Sequence, residues 1–273
     1  MPDQSSPDRL PHYEFGRNWA EFAARLNEEA IAEAVRGLER LLPREEVEGR
    51  SVLDVGCGSG LSALAFLRLG AASVHAIDLD ADSVETTRRV LGLHAAGKAC
   101  QVERRSVFDL DRLPRFDIVY SWGVLHHTGD LDRAFRAAAA KVEPGGSLAV
   151  ALYRRTPLCG FWRLEKRLYT AAPQPIRRGF EALYVAAFRL ALAIRGRSFA
   201  EYVARYPERN RGMSFRTDVK DWLGGYPYES ISEAETLRLA EACGLEPVRR
   251  FCRPPGLGLF GSGCDEYVFR AHA

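Results

Sequence analysis

The chain of 273 residues is 47% hydrophobic and 27% charged, and its formal net charge is +2 at pH 7. These values are ordinary for a folded globular protein and fit one α/β domain with an insertion, or one domain plus a small cap. No apolar run approaches the roughly 20 residues of a spanning helix, and the chain does not start with a basic segment followed by an apolar stretch. The sequence therefore excludes a membrane-spanning helix and predicts no secretory signal.

The six cysteines are scattered along the chain without a CxxC pair. This spacing argues against a zinc site and against a disulfide framework. We therefore expect reduced thiols, no metal and a cytoplasmic protein.

The predicted elements begin with a helix, because apolar residues recur at helical spacing through residues 20–42 until Pro43 ends the run. Strands and helices then alternate. The predicted strands are 51–55, 73–78, 100–104, 116–122 and 147–153, and the predicted helices are 61–69, 81–91 and 131–142. Such alternation is typical of a parallel sheet with helices on both faces.

The alternation stops in the segment 154–231, which has no convincing strand and is rich in arginine and aromatic residues. It returns with a helix at 232–243, opened by the capping box Ser232-x-x-Glu235, and with two strands at 247–253 and 266–270. We therefore predict three parts. They are an N-terminal helical segment (1–45), a core made of 46–153 and 232–273, and a basic helical substrate cap (154–231).

The stretch VLDVGCGSG (52–60) runs from a predicted strand into a glycine-rich turn and a helix, so its backbone amides face a ligand that comes close. A dinucleotide fingerprint would need glycine at position 61, where Leu61 stands. Asp54, just before the turn, suits a cationic amine better than a pyrophosphate. Asp78 ends the second strand 22 residues after Gly56, a spacing that suits ribose hydroxyls. S-adenosylmethionine combines a ribose and an amine without a diphosphate.

Four motifs carry a resemblance to a known family. They are VLDVGCGSG, then VHAIDLD (74–80), then RRSVFDL with FDIVYSWGVLHH (104–127), and KVEPGGSLAVALY (141–153). The sequence resembles the class I S-adenosylmethionine-dependent methyltransferases, in particular the small-molecule group that includes the ubiquinone-biosynthesis methylases. The resemblance implies an α/β fold with a Rossmann-like doubly wound sheet, mostly parallel with an antiparallel last strand, and a helical cap inserted after strand five. The implied cofactor is S-adenosyl-L-methionine, and the product is S-adenosyl-L-homocysteine.

The resemblance also implies which residues hold the cofactor. The methionine portion would contact Asp54, Gly56, Cys57, Gly58 and Gly60, and the ribose would contact Asp78. The adenine would contact Leu79, Ser106 and Val107, and the sulfonium would lie beside Ser121 and Trp122. Ordinary roles stay open for three of them: Asp78 as a helix-capping carboxylate, Ser106 as a turn residue and Trp122 as core.

His126 and His127 follow the fourth strand and are the candidate catalytic residues, because a base is needed where the acceptor must lose a proton. Adjacent side chains in a tight turn cannot both face one pocket. A structural role for His127, and a base elsewhere or no base at all, therefore stay open.

Six further residues are candidates for substrate contact: Tyr153, Arg211, Tyr226, Tyr228, Asp265 and Glu266. The two acids are expected near the pocket because an antiparallel last strand would begin at the edge where the other strands end. The alternatives are that the acids are solvated and that the tyrosines at 226 and 228 form the core of the cap. Asn18 and Trp19 either fold over the cofactor as a lid or simply pack.

Residues 151–230 contain fifteen Lys and Arg against seven Asp and Glu, a local excess of +8. This charge fits a cap that draws an anionic small molecule, a helical surface that lies on a membrane, or an RNA-binding surface. It also fits arginine-rich helices that merely solvate an apolar face, and nucleic acid is the least favoured partner.

The sequence thus predicts methyl transfer to an oxygen or nitrogen of a small organic molecule in specialised metabolism. Methylation of a lipid or quinone-like substrate at a membrane surface is an alternative, as is a non-catalytic cofactor-binding module. A nicotinamide-dependent oxidoreductase is disfavoured by Leu61 and Asp54.

Overall fold

The protein, seen in a computed structural model that describes residues 13, 15–254 and 256–272, is built on a seven-stranded sheet of order β3-β2-β1-β4-β5-β7-β6. The strands are β1 (Ser51–Val55), β2 (Ser73–Asp78), β3 (Cys100–Arg104), β4 (Phe116–Trp122), β5 (Val142–Tyr153), β6 (Leu245–Phe251) and β7 (Cys264–Ala271). Strands β1 to β5 pair in parallel, and β7 runs antiparallel to both β5 and β6. The predicted fold class, with its antiparallel last strand, is confirmed.

The strands at the centre of the sheet are apolar because helices cover both of their faces. Val52 and Leu53 are fully buried, on the two opposite faces of β1. The fifth strand begins five residues earlier than predicted, at Val142. Val142 pairs with Phe116 of β4, so the Pro-Gly-Gly sequence that predicts a turn lies within the strand beside a register shift.

Seven helices accompany the sheet: α1 (Phe15–Ala23), α2 (Glu28–Leu41), α3 (Arg44–Val47), α4 (Leu61–Arg68), α5 (Ala81–His94), α6 (Leu131–Ala139) and α12 (Glu233–Ala242). The prediction of a single helix over 20–42 is wrong, because one helix ends at Ala23 and a second begins at Glu28. Asn27 caps a new helix there, and its Oδ1 accepts a hydrogen bond of 2.8 Å from the Ala30 amide. The predicted capping box at Ser232 is confirmed.

The insertion is helical, as predicted. It contains α7 (Cys159–Ala171), α8 (Gln174–Ile194), α9 (Phe199–Ala204), α10 (Tyr206–Arg209) and α11 (Phe215–Gly224). These helices have an aromatic core of their own, which includes Trp162, Tyr169 and Phe215. Within the described residues, no helix has the length and apolar character needed to cross a membrane.

Helix α1 links this insertion to the sheet. The Gly16 amide donates a 2.9 Å hydrogen bond to Asp80, the N-cap of α5. On the other side, the Asn18 side-chain amide donates to the Thr217 carbonyl of α11 at 3.0 Å. Helix α1 therefore lies across the edge where β1 and β2 end.

Candidate cofactor and substrate cavity

A cavity of about 1670 Å³ lies at the carboxyl ends of the parallel strands. Its floor includes Val55, Asp78 and Trp122, which are the last residues of β1, β2 and β4. Its roof is formed by α1 and by the insertion helices α8 and α11. Ligands of doubly wound sheets bind at this edge, so the position agrees with the prediction.

The glycine turn after β1 forms one end of the cavity. Gly56 and Gly58 line it with φ values of 79° and 52°, in the left-handed region that glycine tolerates. The Gly58 amide donates a 2.9 Å hydrogen bond to Asp78 Oδ2, which ties the turn to the end of β2. A Cβ atom at Gly58 would lie 3.1 Å from Trp19 Nε1, so the indole of α1 covers the turn closely.

Gly60 has a different role from the one predicted. It caps α4 and does not line the cavity. Its φ is +78°, and an added Cβ would lie 3.0 Å from the Thr87 backbone. The residue is therefore needed for close packing of α4 against α5 rather than for ligand contact.

Two acids sit at the turn, and burial perturbs both. Burial raises the pKa of Asp78 to about 6, against the opposing effect of hydrogen bonds from the backbone amides of Asp80 and Gly58. Burial and the neighbouring charge of Asp78 raise the pKa of Asp54 to about 7. Asp54 is buried just behind the cavity wall, which its neighbours Val55 and Gly56 line, and its Oδ2 accepts no hydrogen bond from any described residue.

These features fit the implied cofactor. A buried carboxylate without a partner beside the glycine turn suits a cationic amine. Asp78 lines the cavity, and a carboxylate has lone pairs for ribose hydroxyls beyond those that accept the two backbone amides. Among the described residues no group of three or more His, Cys, Asp or Glu side chains could hold a metal ion.

Next to Asp78, the predicted adenine contacts Leu79, Ser106 and Val107 all line the cavity, together with Cys57 of the turn. The Ser106 hydroxyl accepts a hydrogen bond of 3.1 Å from the Phe108 amide. This bond fixes the loop after β3, so Ser106 has a turn role as well as a place in the cavity wall.

At the end of β4, the structure separates two neighbours that were predicted together. Trp122 lines the cavity, and its Nε1 donates a 2.8 Å hydrogen bond to Glu266. Ser121 is fully buried outside the cavity, and its hydroxyl donates to the Val55 carbonyl at 3.1 Å. The Ser121 side chain does not reach the predicted cofactor site, because alternate strand residues face opposite sides of the sheet.

The two histidines are separated in the same way. His126 is fully buried, stacks on Tyr153 with ring centroids 3.7 Å apart, and does not line the cavity. Its Nδ1 accepts a hydrogen bond from the Tyr153 amide at 3.1 Å, and burial lowers its pKa well below the usual value. His126 is thus neutral and held by packing outside the cavity wall, a position that favours a structural role over the predicted role as the base.

His127 does line the cavity, beside Phe15 and Gly225. Its Nδ1 lies 2.8 Å from the Pro227 carbonyl oxygen. Because a carbonyl only accepts, Nδ1 carries a proton, and this bond orients the ring on the loop after α11.

Of the six candidate substrate residues, Tyr153, Arg211 and Glu266 line the cavity. The other three do not. Tyr228 is buried in the cap with its hydroxyl 3.2 Å from Cys159 Sγ. Asp265 accepts a hydrogen bond from the Arg253 amide at 3.0 Å. Tyr226 lies outside the wall and contributes its carbonyl to the Tyr13 amide at 3.0 Å.

The sequence analysis missed part of the wall that the insertion supplies. These lining residues are Tyr184, Phe188, Tyr202, Tyr206, Asp218, Asp221 and Trp222. Asp218 and Asp221 are three residues apart and so share a face of α11, a pattern that the sequence does contain. Burial raises the pKa of Asp218 to about 6, and burial together with Asp218 raises the pKa of Asp221 to about 8.

The doubly wound sheet, the glycine turn after β1 and the carboxylate at the end of β2 define a Rossmann-like domain whose site suits a ribonucleoside that carries an amine. A family model described as a methyltransferase domain matches residues 24–209. The chain belongs to this methyltransferase family, and the cofactor of its domain is S-adenosylmethionine.

Relatives and solved structures agree with this assignment. The ubiquinone biosynthesis O-methyltransferase of Xanthomonas euvesicatoria pv. vesicatoria (strain 85-10) is 40% identical over 124 residues, which are 44% of this chain and 50% of the relative. The chain thus spans about half the length of the curated relatives it matches.

Two solved structures share the fold. The CcbJ methyltransferase from Streptomyces caelestis matches with a TM-score of 0.53 at 18% identity, over 96% of this chain and 99% of that one. Magnesium protoporphyrin IX methyltransferase from Synechocystis PCC 6803, solved with bound SAH, matches with a TM-score of 0.52 at 13% identity, over 89% of this chain and 82% of that one.

Proposed function

We propose that this protein transfers the methyl group of S-adenosylmethionine to an oxygen or nitrogen of a small organic molecule. The observation that carries the proposal is that one cavity joins the glycine turn and Asp78 to the aromatic wall of the insertion. Cofactor and acceptor can therefore meet at the ends of β4 and β5, beside Trp122 and Tyr153.

In this proposal, residues 46–153 and 232–273 form the cofactor-binding part and 154–231 form the substrate cap. Of the N-terminal segment (1–45), helices α1 and α2 contribute to the cavity wall. Asp54, behind the wall at the glycine turn, provides the negative charge for the cofactor amine; Gly56 and Gly58 give the methionine portion close access to the backbone, and Asp78 accepts from the ribose hydroxyls. When bound, S-adenosylmethionine supplies a methyl group already activated on a sulfonium.

The chain's own contribution is then position and exclusion of water. Trp19 covers the glycine turn, and the aromatic cap residues shield the acceptor end. A cavity of about 1670 Å³ supports an elaborated acceptor of the kind that specialised metabolism supplies. The arginine-rich cap supports an anionic acceptor, and six free cysteines support a cytoplasmic setting.

A second candidate, a lipid or quinone-like acceptor taken from a membrane surface, is favoured by the outer face of the cap. Leu183, Leu190 and Ile194 of α8 are 72%, 63% and 77% exposed. Exposed arginines flank them, among them Arg189 and Arg195. Apolar stripes edged by arginine are typical of helices that lie on anionic lipid.

The test is methyl transfer from methyl-labelled S-adenosylmethionine into a host-cell extract that is afterwards separated into polar metabolites, lipids, protein and RNA. We expect label in the polar metabolites. Label in the lipids, together with sedimentation on phosphatidylglycerol vesicles that Leu183→Glu abolishes, would select the second candidate. Cofactor binding without label in any fraction would contradict the enzymatic proposal and favour a non-catalytic module.

A further inference from the structure

Arg211 has an unusual backbone in the segment that joins α10 to α11. Its φ is +53°, and among the described residues it is the single non-glycine residue with a positive φ. Residues that carry a Cβ are strained in the left-handed region of φ, and such strain persists where the surrounding structure enforces it. Strained residues of this kind cluster at functional sites, so the backbone of Arg211 indicates a functional role.

Two glycines make room for Arg211. A Cβ at Gly37 of α2 would lie 2.6 Å from Arg211 Cγ, so only glycine leaves space for the arginine stem there. A Cβ at Gly212 would lie 2.3 Å from the Ala30 carbonyl oxygen, so only glycine lets the segment pack against α2. The local sequence is thus adapted at three positions to hold one side chain in place.

The side chain ends inside the cavity. Its guanidinium lies over the Trp122 ring, with Cζ 3.1 Å from the ring centroid. Trp122 is itself fixed, because its Nε1 donates to Glu266, which also pairs with Arg40. The guanidinium is therefore preorganised on a rigid platform at the end of β4, beside the proposed site of methyl transfer.

The hydrogen-bonding capacity of Arg211 is unused within the described part of the chain. No described carbonyl, hydroxyl or carboxylate accepts a hydrogen bond from it, and no described acid lies within ion-pair distance. Of the nearby acids, Asp218 accepts from the Tyr206 hydroxyl at 2.7 Å and interacts with Arg211 through its charge alone, and Glu266 accepts from Trp122. The donors of Arg211 are thus available to a ligand in the cavity.

We propose that Arg211 binds an oxyanion of the methyl acceptor, a carboxylate or a phosphate, and so selects anionic acceptors and orients them on Trp122. This inference rests on the proposed function and assigns its substrate class. The planar fork of a guanidinium matches two oxygens of such a group, which a lysine ammonium does not. Arg209, Arg250 and Arg253 also line the cavity and add positive potential to it, beside the lining acids Asp218, Asp221 and Glu266.

The test uses four aromatic probes of similar shape but different charge. Phenylacetate and phenyl phosphate are oxyanions, phenylacetamide is neutral and 2-phenylethylamine is a cation. Each is titrated calorimetrically into the full chain with and without S-adenosylhomocysteine. We expect the oxyanions to bind at least about tenfold more tightly than phenylacetamide, because hydrogen bonds to charged groups are worth this much.

Three variants isolate the side chain. Arg211→Gly removes the guanidinium and relieves the left-handed backbone, so it should remain folded; Arg211→Lys keeps the charge without the fork. We expect the preference for oxyanions to disappear in the first and to fall in the second. The matched control is Arg216→Gln, which removes an exposed arginine outside this cavity. It should leave all four affinities within about twofold.

Binding of S-adenosylhomocysteine by all variants separates this inference from the proposed function. If the wild type does not bind S-adenosylhomocysteine, the methyltransferase proposal is contradicted. The preference among the four probes is measured both with and without S-adenosylhomocysteine, so it tests Arg211 separately. If phenylacetamide binds as well as the oxyanions, or if Arg211→Gly keeps their preference, the assignment is wrong. Tightest binding of 2-phenylethylamine would also overturn it and would point to Asp218 and Asp221 as the selective groups.

Discussion

Replacing Asp54 by asparagine should stabilise the cofactor-free protein at pH 8 while weakening its affinity for S-adenosylmethionine. Asp54 is 2% exposed, and one of its carboxylate oxygens has no partner among the described residues. Its ionised form is therefore costly in the fold, and we expect the bound amine of the cofactor to offset this cost. The negative charge of Asp54 thus lowers the stability of the cofactor-free protein and raises its affinity for the cofactor.

The sign and size follow from the pKa of Asp54, which burial and Asp78 raise from 3.8 to about 7. Between these pH values the unfolded chain has released the proton and the folded chain has kept it, so the free energy of unfolding falls as pH rises. The rise in pKa from 3.8 to about 7 limits the loss in the free energy of unfolding to about 4 kcal/mol. The loss is absent below pH 3.8 and complete above about pH 7.

The assay is urea unfolding of the wild type and Asp54→Asn at pH 5 and pH 8, without cofactor. We expect the variant to gain stability relative to the wild type between the two pH values. Asp117→Asn is a control of opposite sign. Although burial opposes it, hydrogen bonds from the Ser51 amide and hydroxyl lower the pKa of Asp117 overall, so this variant should lose stability at neutral pH. An equal difference between wild type and Asp54→Asn at both pH values would refute the reasoning.

Three further predictions concern the cofactor end and the cap. Asp78→Asn should lower the affinity for S-adenosylmethionine at least about tenfold by calorimetry, since a charge-assisted acceptor is lost, whereas the exposed control Asp132→Asn should not. Gly58→Ala should cost about 1 kcal/mol of stability because of its left-handed φ, and it should also weaken cofactor binding. Its control is Gly97→Ala, where φ is +79° and an added Cβ would have no atom within 4 Å, so only stability should fall. Lys166→Met should gain thermal stability relative to the wild type as pH falls from 10.5 to 7, because burial lowers the pKa of this lysine from 10.5 to about 7 and disfavours its protonated form in the fold. The lost hydrogen bond and ring contact to Trp222 are the same at every pH.

The cofactor half of the cavity was predictable because its information is local. A strand, three glycines and a carboxylate at a fixed distance along the chain specify the turn at Gly58 and the position of Asp78. Side chains alternate between the two faces of a strand, so Trp122 and Ser121 of β4 lie on opposite faces. The sequence analysis did not apply this alternation when it grouped them.

The acceptor half was harder to predict because its residues meet only through the tertiary fold. Whether His126 or His127 faces the cavity depends on a short 3₁₀ turn and on the carbonyl of Pro227, 100 residues away. The spacing of the α11 acids, three residues apart, is visible in the sequence, but only packing of α11 against α1 and α7 shows which face they occupy. The break between α1 and α2 needed recognition of Asn27 as a cap inside a continuous apolar period.

The most direct test of the central claim is a calorimetric titration of the full chain with S-adenosylmethionine, beside the same titration with NADH and of the Asp78→Asn variant. The account predicts one site for S-adenosylmethionine, a clear loss of affinity in the variant and no binding of NADH. Binding of NADH in place of S-adenosylmethionine, or an Asp78→Asn variant that binds the cofactor as the wild type does, would contradict it.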